Sequence, residues 1–512
     1  MIALLHGYLL EGSGSNLWTR AIVSSLCRIG ETVHLVCQEN HPQLYDFIAE
    51  ARSYHPDGRV ETVMSRAVVT PGRCILHKPV LGRTLPVYVP DRYEEFDRVV
   101  PMVDLPEAEI EEYLRRNIAV VRRVVAEHDI HAVHANHAVL MPQVARPVAE
   151  EAGIPFAIMP HGSALEYAVK KDDRFRRRAA EAFAAADRIF TIGPEIRARV
   201  RDVFGELDLD GRMLDLNLGV DTRLFETVPP EARARSIHRL REVLDGVERG
   251  DAGGEEKRPD PGAERALAAI DWGHDPVLLF VGRLIAAKGP QAVVAALPQI
   301  LRDAPDARLV VVGHGPLRPA LEAMVQALAA GDGAALDRLA REPRPGAEHG
   351  MPGVRAFLDA LGAAGRDRYL EDARARVTTG RVVFTGYLRH RELQHLFPCC
   401  DAAVFPSLVR EAGPLVFLEA LSSGVLPLGT DFGGMAESLK AIAEVVPPDV
   451  LDALRLSPDP ARLVADIAAG APIALAAAHA FREDLRALAV RHYDWTSVAE
   501  RFSRELRALA AA

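Results

Sequence analysis

The feature that most constrains this fold is a pattern that occurs twice: an apolar run, a glycine-containing loop, a helix and a second apolar run. The first copy is Ile2-Ala-Leu-Leu-His6, a loop over 7–16, a helix to about Arg28 and Thr32-Val-His-Leu-Val-Cys37. The helix carries apolar residues at Leu17, Ala21, Val23, Leu26 and Ile29. The second copy is Pro276-Val-Leu-Leu-Phe-Val-Gly-Arg-Leu284, then Lys288-Gly289, a helix and Ala307-Arg-Leu-Val-Val-Val-Gly313. Such a series opens a doubly wound α/β domain. A chain of 512 residues is too long for one ordinary core, so two or three domains are expected.

The boundaries follow from changes in composition. Residues 1–225 read as a first Rossmann-like domain and 226–275 as a linker or insertion. Within that linker, residues 250–262 are polar, rich in Gly and Pro, and read as mobile. Residues 276–476 read as a second Rossmann-like domain with an Ala/Arg-rich, helical insertion at 326–376. Residues 477–512 read as helices that pack back on the first domain. Residues 50–105, rich in Pro and Arg, read as irregular with short strand-like pieces that are not assigned further.

The stretch with the most chemistry is Glu411-Ala-Gly-Pro-Leu-Val-Phe-Leu-Glu419, which follows the strand-like Asp401-Ala-Ala-Val-Phe-Pro-Ser407. Pro414 suits the first position of a helix and Gly424 its end. Glu411 then lies in the loop before the helix and Glu419 inside it. The N–H groups near Gly413, Leu415 and Val416 form an anion-binding helix start. Two carboxylates flanking such donors can grip a molecule with hydroxyls at both ends and an anion in the middle. A solvated helix face is the bland alternative, but this helix is too apolar for it. Arg283 and Lys288 lie after the first strand of the second domain, where a planar fork and a point charge suit a diphosphate.

In the first domain, Gly12-Ser13-Gly14 exposes backbone N–H groups beyond a strand. It also resembles part of a dinucleotide fingerprint, supported only by Glu39 after the second strand. His161-Gly162-Ser163 follows the strand 154–160, at a carboxyl end where open sheets place ligand contacts. Asn136 and His137 edge the same end of strand 130–136. Histidines at 128, 131, 134 and 137 suggest a metal tract, but a strand scatters that spacing over both faces, so no metal site is assigned. Lys170, Lys171, Arg174, Arg176, Arg177 and Arg178 read first as a solvated helix face; the alternative is a surface for an anionic lipid or acidic acceptor.

A formal net charge of −10 argues against a general nucleic-acid binder. Five cysteines without metal spacing or a disulfide framework fit a reducing cytoplasm. Cys399 and Cys400 read as buried small hydrophobes. No long uninterrupted apolar run or basic leader marks a membrane span or signal peptide.

Taken in order, Gly282-Arg283…Lys288-Gly289, Gly313-His-Gly-Pro316, Phe384-Thr-Gly-Tyr387, Glu411-x7-Glu419 and Gly433-Gly434 resemble the retaining family 4 glycosyltransferases of GT-B fold. Gly12-Ser-Gly14, His161-Gly162 and Leu218-Gly-Val-Asp221 resemble that family's first-domain motifs. The resemblance implies two doubly wound Rossmann-like domains facing across a cleft, and transfer of a hexose from a nucleoside-diphosphate sugar to a hydroxyl acceptor. The acceptor class is a sugar, sugar phosphate, glycan or lipid, and no metal or other cofactor is required. By the same resemblance Arg283 and Lys288 hold the diphosphate, Glu419 the ribose, and Glu411 the transferred sugar, with backbone near Gly413 and Leu415 helping. His161 assists transfer, Gly12-Ser13-Gly14 closes over the phosphates, and the backbone near Tyr387 meets the base. Where many relatives carry Phe or Tyr and then Gly before Leu415, this chain has Ala-Gly-Pro, and Leu218 stands where Asn is common. Two other readings stay open: a non-catalytic nucleotide-sugar sensor on the same fold, and a nicotinamide dehydrogenase resting on the glycine loop and Glu39.

Overall fold

Among the described residues up to 219, eleven short segments are strands: β1 Ile2–Leu5, β2 Thr32–Val36, β3 Ile48–Tyr54, β4 Val60–Ser65, β5 Arg73–Pro79, β6 Thr84–Val87, β7 Arg98–Pro101, β8 Ala132–Asn136, β9 Phe156–Met159, β10 Arg188–Thr191 and β11 Met213–Asp215. The computed structural model describes residues 1–82, 84–88, 96–245, 258–411, 413 and 415–511. Pro414 and residues 250–257 of the stretch read as mobile lie outside the described residues. The chain divides into two units, Met1–Gly219 with Asp494–Ala512, and Val220–Tyr493.

Among the described residues of the first unit, nine strands form one sheet in the order β11-β10-β9-β8-β1-β2-β5-β3-β4. Every pairing in it is parallel except β3 with β4. β1, β8 and β9 are buried along their whole length, as expected for a parallel sheet covered on both faces. The stretch 50–105 thus has far more order than its composition suggests. β4 returns the chain antiparallel to β3, so that β5 can enter parallel between β2 and β3 without a crossover helix. β6 and β7 pair separately.

The second unit holds β12 Val277–Val281, β13 Arg308–Val312, β14 Val382–Gly386, β15 Ala402–Phe405, β16 Leu426–Thr430 and β17 Arg455–Leu456. Their order is β14-β13-β12-β15-β16-β17, all parallel. Counted from β12 this is the 3-2-1-4-5-6 order of nucleotide-binding sheets, whose ligands lie where the order reverses. Here that point is between β12 and β15. The insertion at 326–376 is helical, with helices Gly333–Arg341, Pro352–Ala360 and Gly362–Arg376. Its last helix is anchored by the Tyr369 hydroxyl, which donates to the Ala295 carbonyl at 2.8 Å. Residues 258–262 lie beside β14: Pro259 bridges Gly386, and Asp260 N–H donates to the Thr385 carbonyl at 2.8 Å.

The helix Pro460–Tyr493 contains an 18-residue window of mean hydropathy 1.6, half of it buried, so length and composition alone would let it cross a membrane. Its positions Leu463, Val464, Ile467, Ala471 and Leu485 are instead buried within the second unit. The helix runs on past 476 to Tyr493, and only the following helix, Trp495–Ala510, belongs to the first unit. Asp494 separates the two by capping the second: its carboxylate accepts from Thr496 N–H at 2.8 Å. Phe502 of that last helix is fully buried against Trp18, His134 and Phe190.

Candidate active site

In the second unit the loops after β12 and β15 are stitched together. Leu408 N–H donates to the Ala287 carbonyl at 2.8 Å. Gly289, at φ +75, approaches so closely that a Cβ there would lie 2.2 Å from the Pro406 carbonyl oxygen. This brings Lys288 and Glu411 together, with Nζ 2.8 Å from Oε1 and both side chains partly exposed. The Glu411 carbonyl is held from a third loop, by Gly434 N–H at 2.8 Å. Gly434 lies in the first turn of the helix Gly433–Ile442 after β16.

Glu419 lies inside the helix Leu415–Ser422 and is 4% exposed. Its Oε1 meets His390 Nε2 at 3.1 Å, while its Oε2 is buried without a partner. A carboxylate oxygen left so is ready to accept from a hydroxyl. His390 was not foreseen from sequence; it begins the helix His390–Leu396 three residues after Tyr387. Gly424 ends the Glu419 helix at φ +69 as expected, its N–H donating to the Leu421 carbonyl at 3.0 Å. Leu415 and Val416 begin that helix, partly exposed, with Gly413 just before it. Their N–H groups lie in the first turn, where no intrahelical acceptor exists.

Arg283 is exposed. The loops around it are close-packed: Gly313, at φ +142, would place a Cβ 1.9 Å from the Gly282 carbonyl oxygen. Leu284 N–H donates to the His314 carbonyl at 2.8 Å. The Tyr387 N–H, expected among the contacts to a base, is already donated to the Arg258 carbonyl at 3.0 Å. Its ring packs edge-on against His314.

In the first unit the carboxyl ends of β1, β8 and β9 converge on a buried imidazole cluster. His161, 6% exposed, follows β9 and packs on Trp18 and His137 with ring centroids 5.7 and 4.9 Å away. His137 adopts φ +71, a left-handed conformation that is costly without glycine. The turn after β8 is held by the Gln143 side chain, which accepts from Leu140 N–H at 2.6 Å, and by Tyr88, whose hydroxyl donates to the Val139 carbonyl at 2.9 Å. His6, missed from sequence although it follows β1 just as His161 follows β9, stacks on His137 at 5.4 Å. It also meets Asn16 at 3.0 Å through Nε2. Asn136 donates to Thr19 Oγ1 at 2.8 Å and meets His134 at 3.2 Å, so it braces the cluster from beneath. Burial pushes His6 down to about 4, and His134 and His161 down to about 3, with neighbouring imidazoles adding to the effect at His161. These rings are therefore neutral near pH 7. His161 Nε2 and both ring nitrogens of His137 are buried without partners.

Gly12, Ser13 and Gly14 are exposed at the start of the helix Gly14–Arg28, with Gly12 at φ +101 and Ser13 capping Asn16 N–H at 3.4 Å. Glu39, the support for a dinucleotide reading, is spent inside the protein. Its Oε2 accepts from Leu10 N–H at 3.0 Å and the Tyr45 hydroxyl at 3.2 Å, and its Oε1 from Asn40 and His41 N–H groups at 3.0 and 2.8 Å. It holds the glycine loop and offers nothing to a ribose.

The other singled-out residues have structural roles. Gly219 lies so close to Trp495 that a Cβ would meet the indole at 2.2 Å, and the Asp221 carboxylate accepts from Arg223 and Leu224 N–H groups at 3.1 Å. Lys170, Arg174 and Arg178 are paired with acidic neighbours. All five cysteines are free and buried. The histidine tract is dispersed: His131 meets the N-terminal amine at 2.6 Å, His134 lies within the sheet, and His128 caps the helix Glu107–Glu127.

Comparison with known proteins adds sequence relatives and a fold. Residues 268–335 and 355–453 match the profile of glycosyl transferases group 1, and residues 81–222 that of glycosyltransferase family 4. The chain is 25% identical over 213 residues to an alpha-D-kanosaminyltransferase of Streptomyces kanamyceticus, covering 40% of this chain and 42% of that protein. It is 26% identical over 251 residues to a GDP-mannose-dependent alpha-(1-6)-phosphatidylinositol monomannoside mannosyltransferase of Mycolicibacterium smegmatis, covering 48% and 55%. It thus spans about half the length of these curated relatives. Among solved structures it is similar to a sucrose-phosphate synthase from Thermosynechococcus elongatus (TM-score 0.52, 17% identity, 100% and 99% coverage). It is also similar to Anabaena HepE in complex with UDP-glucose (TM-score 0.51, 14% identity, 99% of both chains). At these identities the likeness establishes the GT-B fold.

Proposed function

The chain belongs to the family 4 glycosyltransferases, and we propose that it moves a hexose from a nucleoside-diphosphate sugar to a hydroxyl acceptor, with retention of anomeric configuration and no metal requirement. The observation that carries this reading is the Lys288–Glu411 pair, with exposed Arg283 in the same loop as Lys288 and the half-satisfied carboxylate of Glu419 in the helix after Glu411. A sugar diphosphate offers each of them a better partner. Lys288 exchanges a carboxylate for a phosphate oxygen, and Arg283 adds a planar fork to the same group. Glu411, released from Lys288, accepts from the sugar hydroxyls. Glu419 Oε2 accepts from the ribose. The N–H groups at Gly413, Leu415 and Val416 complete the grip on the donor.

In the reaction the C1–O bond to the diphosphate breaks and its electron pair stays on the phosphate oxygen. The acceptor oxygen bonds to C1 on the same face, and its proton passes to the leaving phosphate. Negative charge grows on the diphosphate as the bond breaks, so Arg283 and Lys288 act most strongly in the transition state. Neutral His161, with an unpartnered ring nitrogen, is suited to orient a hydroxyl rather than to supply charge. The donors named for relatives and neighbours, GDP-mannose and UDP-glucose, are both nucleoside-diphosphate hexoses, which supports the class and leaves the base to experiment.

Calorimetric titration of the purified chain with UDP-, GDP- and ADP-sugars, in EDTA, tests this reading. One donor is expected to bind with the chelator present, and proton NMR of the first-formed product is expected to show the donor's anomeric configuration. Binding of none of them sinks the proposal, and an inverted product removes retention.

A further inference from the structure

We propose that His34, His77 and His128 form a zinc site in the first unit, apart from the residues assigned to sugar transfer. The three come from elements distant in sequence: β2, β5 and the end of the helix Glu107–Glu127. Register explains the first two. Val36 pairs with His77 across the β2–β5 ladder, so His34, two residues earlier, lies on the same face one step along. The helix supplies the third. Val120, Val124 and His128 recur every four residues on one stripe, and the two valines pack on Tyr54 of β3. His128 therefore lands beside the paired imidazoles at the edge of that apolar cluster.

The donor atoms are close together. His34 Nδ1 and His77 Nε2 are 3.0 Å apart, and one ring nitrogen from each of the three histidines lies within 4.8 Å of the other two. Tetrahedral zinc with Zn–N of about 2.0–2.1 Å separates its ligands by roughly 3.3 Å. The His34–His77 pair is near that already, and His128, at a helix end and only partly buried, has to swing by on the order of 1 Å. His77 also has the outer-shell partner that metal-bound histidines carry: its Nδ1 meets the Tyr54 hydroxyl at 2.7 Å, which leaves Nε2 to present a lone pair. His34 Nε2 and His128 Nε2 are buried without hydrogen-bond partners. Two arginines, Arg52 and Arg73, face the cluster, and Arg52 is offset by Glu50 at 2.6 Å. Three imidazoles suit zinc among the common divalent ions, with water in the fourth position. Bound there, the ion would tie the helix end to two strands of the sheet.

The test uses the untagged full-length chain, stripped with chelator, incubated with Zn²⁺ alone and freed of excess by gel filtration. About one zinc per chain is expected, with a rise in thermal midpoint. His128→Gln and His77→Gln should each weaken binding tenfold or more, and Tyr54→Phe by roughly tenfold. His131→Gln, whose ring serves the N-terminal amine, should bind as the parent does. Should His77→Gln fail to fold, His128→Gln decides, because its side chain is only partly buried. Retention of less than about a tenth of an equivalent of zinc, or unchanged affinity in His128→Gln, overturns the proposal. Donor titration is read separately, so loss of the zinc site leaves the transfer reading standing or falling on its own.

Discussion

Lys288 and Glu411 are ion-paired, Nζ to Oε1 at 2.8 Å, although they rise from loops after different strands, β12 and β15. Neither side chain is deeply buried, so the pair contributes little to stability. Lys288→Ala should therefore leave the thermal midpoint nearly unchanged while lowering turnover by roughly 10²–10³. A drop in stability with intact turnover would make the pair a structural one.

Glu419 gives a complementary expectation. Its Oε2 has no partner and its Oε1 meets His390. If that oxygen takes a ribose hydroxyl, Glu419→Gln should weaken donor binding about tenfold or more. The loss should shrink for a donor whose ribose lacks the bound hydroxyl. Equal losses with both donors would place Glu419 away from the ribose.

Acid should act on the first unit through its buried imidazoles. Burial holds His6 at about 4 and His134 and His161 at about 3, below their ordinary value near 6.5. Between those limits the unfolded chain binds more protons than the folded one. Stability from these groups is thus present above about pH 6.5 and is lost as pH falls toward 4. Urea midpoints followed by tryptophan fluorescence in a Trp272→Phe background, which leaves only Trp18, fully buried beside His161, and Trp495 of the first unit, should decline over that window. A flat profile from pH 7 to about 4.5 would contradict the neutral cluster.

The final helix should be indispensable to the first unit. Phe502 is fully buried against Trp18, His134 and Phe190, and Arg507 pairs with Glu31 at 2.6 Å. Phe502→Ala should cost about 3–5 kcal/mol. Removal of residues 495–512 without loss of stability would show that the helix is an ornament.

How much of this could be read in advance depended on whether the signal was local. Ile2–Leu5 and Val277–Val281 are buried on both faces, so they stand out as apolar runs. Arg73–Pro79 sits between β2 and β3 yet carries only a short apolar core between charged ends, and its place depends on the β4 return. Glu411 and Glu419 were legible because one turn and one helix hold them. His34, His77 and His128 were not, because strand register and a helix stripe bring them together. The histidine tract misled in a related way: its members share a spacing but not a face. Asp494 is a plain N-cap before Trp495, and it marks the unit boundary that composition placed near 476.

If the loops after β12 and β15 handle a sugar diphosphate, slow donor hydrolysis by the parent chain should depend on both Arg283 and Glu411, which Arg283→Ala and Glu411→Ala probe. Hydrolysis of one nucleotide sugar by the parent is expected, with a loss of roughly 10²–10³ in each variant. Donor binding without any turnover in the parent, even with acceptor mixtures, would favour a sensor. Hydrolysis that survives in both variants would place the chemistry elsewhere in the molecule.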